Sequence, residues 1–300
     1  MKLKIIKILL LTLITFLVVS CGKIDPEKTG KETNNSFSIL VLSDIHISND
    51  ESKDIRLRNL IDSINAGYFE NLDLLIATGD LVSSFYKDRN NGDGFDNNRA
   101  AKFSSIIKEV EIPYYLALGN HDYKIDGDKD SDAPFSFEEI DTMEKLWKKF
   151  AGLEEPFYSV NHKGWKLILL NSMRGRYLER AFDDDQMEFL KNELEEGKPT
   201  LLFFHHPIET DNFRIWAKPK DLITPGKEKQ FFELVNEHKT QVKGIFVGHG
   251  HRWIEDILFG TIPVYETDSF ADNEKSPYQL IQIDTLANII NVTQHEFIQN

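Results

Sequence analysis

Three hundred residues, 41% hydrophobic and 28% charged, suffice for one large α/β domain with a real core and exclude a disordered or fibrous chain. The 49 acidic against 35 basic residues give a formal charge of −14. Such a surface repels a nucleic-acid backbone, so no nucleic-acid partner is expected.

In chain order, Lys2, Lys4 and Lys7 precede an apolar run from Ile8 to Val19 that ends at Ser20-Cys21-Gly22. A basic stretch, an apolar run short for a bilayer span and a small-residue processing site make residues 1–20 a signal peptide. Val18-Val19-Ser20-Cys21 resembles a bacterial lipobox, whose cysteine is diacylated and becomes the first residue after cleavage. The alternatives are a plain secretory signal or an uncleaved anchor. Cys21 is the only cysteine, which excludes an intramolecular disulfide and favours lipidation as its use. Residues 21–36 are polar and read as a flexible tether, leaving 37–300 as the folded domain. This organisation predicts a lipid-anchored envelope protein outside the cytoplasm, with the membrane as a partner through its N-terminal lipid.

Ser38–Ser43 is an apolar run of strand length, typical of a strand buried on both faces. Leu57, Leu60, Ile61 and Ile64 follow at helical spacing, then a strand over Leu72–Thr78. A second helical stripe (Phe103, Ile106, Ile107, Val110) leads to a strand over Pro113–Leu118. This alternation predicts parallel strands with crossover helices. Phe157–Asn161 and Trp165–Leu170 flank His162-Lys163-Gly164 as a hairpin. Met187, Leu190 and Leu194 mark a helix before the strand Thr200–Phe204. Phe231, Leu234, Val235 and His238 mark another before Gly244–Val247. Four more strands, Ile257–Leu258, Ile262–Tyr265, Gln279–Ile283 and Ile289–Val292, close an α/β domain with two sheets and outer helices.

The chemistry collects where α/β sheets gather their sites, at the C-terminal ends of strands. These ends read Asp44-Ile45-His46, Gly79-Asp80, Gly119-Asn120-His121-Asp122, His205-His206-Pro207 and Gly248-His249-Gly250-His251. Six of the nine histidines lie in these five segments, more than scatter would place there. Imidazole, carboxylate and amide donors without thiolate suit manganese, iron, zinc or cobalt. Alternate residues of an extended segment share a side, so Asp44 with His46 and His249 with His251 would face together. Seven ligands exceed the need of one ion but serve two if one carboxylate bridges them.

These segments, in this order, resemble the five signature motifs of the calcineurin-like metallophosphoesterases. The resemblance runs over nearly all of residues 38–292, including Leu169–Ser172 and Gln186–Leu190 in its weaker middle block. It implies a four-layer α/β/β/α sandwich with two mixed β-sheets and metal-dependent hydrolysis of a phosphate ester. It further implies that Asp44, His46 and His251 hold one metal ion, that Asn120, His205 and His249 hold the other, and that Asp80 bridges them. His121 would be no ligand. It would stabilise developing charge or protonate the leaving oxygen during in-line attack on phosphorus. Asp122 would orient His121 or cap the following turn.

Other polar residues take ordinary readings. His162, His238 and His295 read as core or turn histidines, and alternation points His206 away from the ligand side. Arg174 and Arg176 read as solvated loop arginines, with phosphate contact as the alternative. Asp126, Asp128, Asp130 and Asp132 alternate like calcium ligands, but Ser131 replaces the required glycine and Phe137 the closing glutamate. That loop and Lys87–Asn98 are expected to rim the site. The tyrosine that purple acid phosphatases place three residues after the bridging aspartate is Ser83 here, and Tyr86 lies three further on. The Asn-His-Asp form resembles the phosphodiesterase branch, with a small-molecule or envelope phosphoester as substrate. A purple-acid-like monoesterase and a catalytically inactive metal- or phosphate-binding lipoprotein are the alternatives.

Overall fold

A computed structural model describes residues 35–298 apart from 128–129, 131–133 and 272–273. The signal peptide, Cys21 and the tether up to residue 34 lie outside the described residues. The folded unit begins slightly before the expected boundary: Ser36 already opens a strand, and Thr285 donates to the carbonyl of Asn35.

The first half runs β1 (Ser36–Leu42), α1 (Glu51–Asn65), β2 (Leu72–Ala77), α2 (Arg99–Ile107), β3 (Tyr114–Leu116) and α3 (Phe137–Ala151). Then come β4 (Tyr158–His162), β5 (Trp165–Leu169), α4 (Asp184–Glu195), β6 (Thr200–Phe203), α5 (Asp211–Trp216) and α6 (Lys229–Glu237). The chain closes with β7 (Val242–Val247), β8 (Ile254–Leu258), β9 (Ile262–Glu266), β10 (Pro277–Asp284) and β11 (Ile289–Glu296). Asp50 and Asn98 start α1 and α2 by accepting from Ser52 N and Ala101 N.

One sheet has the order β11-β10-β1-β2-β3, parallel through β1, β2 and β3 and antiparallel at β10 and β11. The other has the order β4-β5-β6-β7-β9-β8, with a parallel centre and antiparallel edges. Strand alternation sorts the apolar residues into layers. In β1, Ile39 and Val41 join Leu74, Ile76, Leu167, Leu201, Phe203 and Phe246 between the two sheets. Leu40 and Leu42 face the other way, onto Leu57, Leu60, Phe103, Ile106 and Trp147 of α1, α2 and α3. The outer face of the second sheet meets Leu190, Leu194, Phe213, Phe231 and Val235 of α4, α5 and α6. This is the expected four-layer sandwich. Burying each such side chain contributes about 1.5–3 kcal/mol, so a strand buried on both faces is held from both.

Two helices were not read from the sequence. α3 starts with a capping box, in which Ser136 Oγ accepts from Glu139 N while the Glu139 carboxylate accepts from Ser136 N. Gly152, at φ 74°, ends it. α5 spans only Asp211–Trp216 and has no side-chain cap.

Candidate metal centre

The parallel strands of both sheets bring their C-terminal ends together. Asp44 and His46 follow β1, Asp80 follows β2, Asn120 and His121 follow β3, His205 follows β6, and His249 and His251 follow β7. The route differs from the expected one. The backbone is not extended at these positions: φ is 52° at Asp44, 48° at His46, 51° at Asp80, 76° at His249 and 52° at His251. The left-handed region costs a non-glycine residue roughly 1–2 kcal/mol. Turning of the chain therefore aims these side chains, and the surrounding core bears the strain. Glycine makes room for the approach: a Cβ on Gly119 would stand 2.3 Å from Asp80 Oδ1, and one on Gly248 would stand 1.8 Å from Ser43 Oγ.

Two clusters result. In the first, Asp44 Oδ1 lies 3.1 Å from His251 Nε2 and 3.8 Å from His46 Nε2, and the two imidazole nitrogens are 3.4 Å apart. In the second, Asn120 Oδ1 lies 3.0 Å from both His205 Nε2 and His249 Nδ1, and those nitrogens are 3.3 Å apart. Asp80 Oδ2 stands between the clusters, 3.3 Å from His205 Nε2 and 3.8 Å from His46 Nε2. All seven expected ligands are thus brought together.

The donors fit a metal. His205 Nδ1 lies 3.1 Å from the carbonyl of Thr78, which can only accept, so that nitrogen carries a hydrogen. In the neutral ring Nε2 is then a lone pair, aimed at the lone pairs of Asn120 Oδ1 and Asp80 Oδ2. Asp44 Oδ1 is buried and faces imidazole nitrogens, His251 Nε2 at 3.1 Å and His46 Nε2 at 3.8 Å. Acceptors converging on acceptors in a buried site call for a cation, and the nitrogen–oxygen donor set suits a transition ion. The electrostatics show the same demand for positive charge at this point, here met by a proton on His205. Burial works to raise the Asp44 and Asp80 carboxyls, yet the bond to His251 and the charge of His205, respectively, hold them well below the usual range. Burial pulls His205 down, but Asp80 reverses this and lifts it to about 9. His46 falls to about 4, mainly through burial.

His121 donates its backbone N–H to Asp80 Oδ1 at 2.8 Å, and its Nδ1 lies 2.9 Å from the carbonyl of Ser83. Asp122 departs from both roles expected of it. Its carboxylate accepts from Val82 N at 3.0 Å and from Gly119 N at 2.8 Å, tying the segment after β2 to the one after β3. The carbonyl of Ser83, and not Asp122, sets the His121 ring. Burial, and then the nearby Asp80 charge, push Asp122 up to about 8. Tyr86 gives its hydroxyl hydrogen to Asp93 at 2.6 Å.

The surrounding shell holds residues the sequence reading passed over. Asp221 Oδ2 lies 3.5 Å from His249 Nε2, on the opposite side of the ring from Asn120. Glu266, at the end of β9, is buried with neither oxygen bonded, and it fills the space a side chain on Gly250 would need. Burial, then Asp44, push its carboxyl up to about 9. The signal for Glu266 was its place at a strand end, one residue beyond the expected Ile262–Tyr265. Asp221 sits in an irregular polar segment and carried no signal. His206 is buried with its ring 4.7 Å from that of His249, and its Nδ1 lies 2.7 Å from Ser172 Oγ. Arg174 is no solvated arginine: Nε meets Asp183 at 2.6 Å and one terminal nitrogen meets Glu144 at 2.7 Å. His162, His238 and His295 pair with Asp73, Gln241 and Thr293, in keeping with structural roles.

The sequence profile of the calcineurin-like phosphoesterases matches residues 37–253. A protein of Synechococcus sp. named a probable cyclic nucleotide phosphodiesterase is 25% identical over 226 residues, covering 72% of this chain and 74% of its own length. A Fibrobacter succinogenes protein of like name is 25% identical over 216 residues, covering 70% and 71%. Among solved structures, a dimetal phosphatase of Danio rerio superposes with a TM-score of 0.61 at 10% identity, covering 88% of this chain and 97% of that one. This last likeness bears on the fold alone.

Proposed function

The chain belongs to the calcineurin-like phosphoesterase family, as a metal-dependent phosphoester hydrolase, and on that premise we propose that it uses two metal ions to cleave phosphodiesters outside the cytoplasm. The placement of Asp80 Oδ2 between the two donor clusters carries this reading. Asp44, His46 and His251 would hold one ion, and Asn120, His205 and His249 the other, with Asp80 shared. When bound, the ions supply Lewis acidity, which favours an attacking hydroxide at neutral pH and neutralises charge on the phosphoryl oxygens. Manganese, iron, zinc and cobalt all suit this donor set.

The chain's own residues do the rest. Asp122 and the glycines fix the loops that carry the ligands. Asp221 holds Nε2 of His249, so that Nδ1 is turned toward Asn120. His121, with Nδ1 engaged by Ser83, stands beside His46 and Asp80 and would present Nε2 to the substrate. As a general acid it passes a proton from that atom to the leaving alkoxide.

A diester substrate is supported by the names of the two curated relatives, taken here as a guide only. The purple-acid alternative is disfavoured because Ser83 stands at the tyrosine position and Tyr86 is engaged by Asp93. A binder that had lost catalysis would have no use for a histidine held beside the ligands by Ser83. The extracytoplasmic setting rests on the leader and on Cys21, which fit a lipid-anchored envelope protein acting on small-molecule or envelope phosphoesters.

The test is a hydrolysis assay on the purified domain after chelation and after reloading with Mn²⁺, using p-nitrophenyl phosphate and bis(p-nitrophenyl) phosphate. Metal-restored release of nitrophenolate, faster from the diester, is expected. A preference for the monoester would move the protein to the monoesterase reading, and no release from either would return it to the binding reading.

A further inference from the structure

The chain between β6 and α6 makes an excursion that leaves the metal centre and returns to it. It departs at His205 and His206. Its two ends are stitched together where Ile223 N donates to the Pro207 carbonyl and Glu209 N to the Ile223 carbonyl, each at 2.8 Å. Two contacts fix the part in between to the segment that carries His249 and His251. Asp221 Oδ2 lies 3.5 Å from His249 Nε2. At the start of α5, Asn212 N donates to Asp256 Oδ2 at 2.7 Å and Asn212 Nδ2 to the Glu255 carbonyl at 2.9 Å. The helix therefore lies on β8, the strand that follows the two histidines.

At the C-terminal end of α5, this anchoring places Trp216 beside Arg252, the residue after His251. The guanidinium carbon stands over the indole, 5.7 Å from its centre. Arg252 is itself held on the histidine loop, since its Nε donates at 3.0 Å to the carbonyl of Gly250, between His249 and His251. One guanidinium thus joins the indole to the loop that carries two candidate ligands. Trp147 and Trp165 are buried in the core, whereas Trp216 is 59% exposed. Indole and guanidinium are both flat, and each stacks on flat π-systems.

We infer that Trp216 and Arg252 form a platform at the rim of the active site, on which a planar aromatic group of the phosphoester, such as a nucleobase, lies while its phosphate is at the metals. The inference rests on the phosphoesterase reading and narrows its substrate class to esters with a flat ring within reach of the phosphate. Sugars and alkyl chains have no π-face to offer the pair. Stacking on an aromatic side chain tolerates any base, so the platform selects the class of group and not one member of it.

Calorimetric titration of the Mn²⁺-loaded protein with thymidine 5′-monophosphate and with 2-deoxyribose 5-phosphate, which lacks the base, tests it. The wild type should bind the nucleotide about tenfold more tightly. In Trp216→Ala that ratio should fall to about one, while Trp216→Phe, which keeps a flat ring, should retain most of it. Trp216 is at the surface, and a melting curve checks that the fold is kept. Equal affinities in the wild type, or a ratio that survives Trp216→Ala, would overturn the platform. A kinetic arm uses the methyl esters of the same two phosphates, where the lower KM should belong to the thymidine ester and the difference should vanish in Trp216→Ala. If neither ester is hydrolysed, the hydrolase reading has failed, while the binding ratio still decides the platform.

Discussion

Asp221 and Asn120 stand on opposite sides of one imidazole: the carboxylate lies 3.5 Å from His249 Nε2, and the amide oxygen lies 3.0 Å from Nδ1. Burial works to raise the Asp221 carboxyl, but the bond to His249 lowers it below its ordinary value, so it stays charged. A carboxylate there fixes the tautomer and makes Nδ1 the basic atom. Asp221→Asn should therefore weaken metal binding by about 10–100-fold, the range for partners of metal-bound histidines. Competition against a chromogenic chelator measures this. An unchanged affinity would remove this role from Asp221.

His121 and Asn120 are adjacent but should respond differently. The His121 ring is held by the Ser83 carbonyl, whereas the Asn120 oxygen faces His205 and His249. His121→Ala should keep its metal while kcat falls by about 10²–10⁴, the usual loss for a positioned acid. The fall should be smaller for a nitrophenolate leaving group, which needs little protonation, than for an alkoxide such as glycerol. Asn120→Ala should lose metal and affect all substrates alike. Loss of metal in His121→Ala, or equal effects on both leaving groups, would remove the acid role.

Arg174 is predicted to be structural. Its guanidinium neutralises Glu144 and Asp183, and Glu144 also accepts from the Tyr123 hydroxyl at 3.2 Å. Arg174→Met strands two partly buried carboxylates and should cost about 2–4 kcal/mol in urea unfolding. Stability within a few tenths of a kcal/mol of wild type would point back to a solvated arginine.

What could be read from the sequence follows from which interactions are local. Buried strands such as Leu40–Leu42 announce themselves by composition, and the candidate ligands follow those strands in short motifs, so the fold and the grouping of these side chains were both legible. The backbone path through Asp44, His46, His249 and His251 was not. Nothing in an Asp-x-His pattern distinguishes an extended segment from two left-handed turns. α3 went unread although its capping box and its Ile140, Met143 and Trp147 stripe were present, because the alternating aspartates before it drew the reading toward a loop. Asp221 and Glu266 act through contacts made only in three dimensions. Asp122 was found by its motif, but its use, holding Val82 and Gly119, depends on where β2 and β3 end.

The N-terminal proposal can fail independently. Cys21→Ala should abolish fatty-acid labelling and detergent-phase partitioning and leave the precursor uncleaved by lipoprotein signal peptidase. A labelled band of unchanged size would remove the lipid anchor while leaving the enzyme reading intact.

The central claim is that one carboxylate, Asp80, serves two metal ions, and metal stoichiometry tests it most directly. Elemental analysis of the wild-type domain should find about two transition ions per chain. Asp80→Ala should retain fewer of both and melt at a lower temperature, because the ions lose the charge that screens them from each other. One ion in the wild type, or two undisturbed ions in Asp80→Ala, would contradict the account.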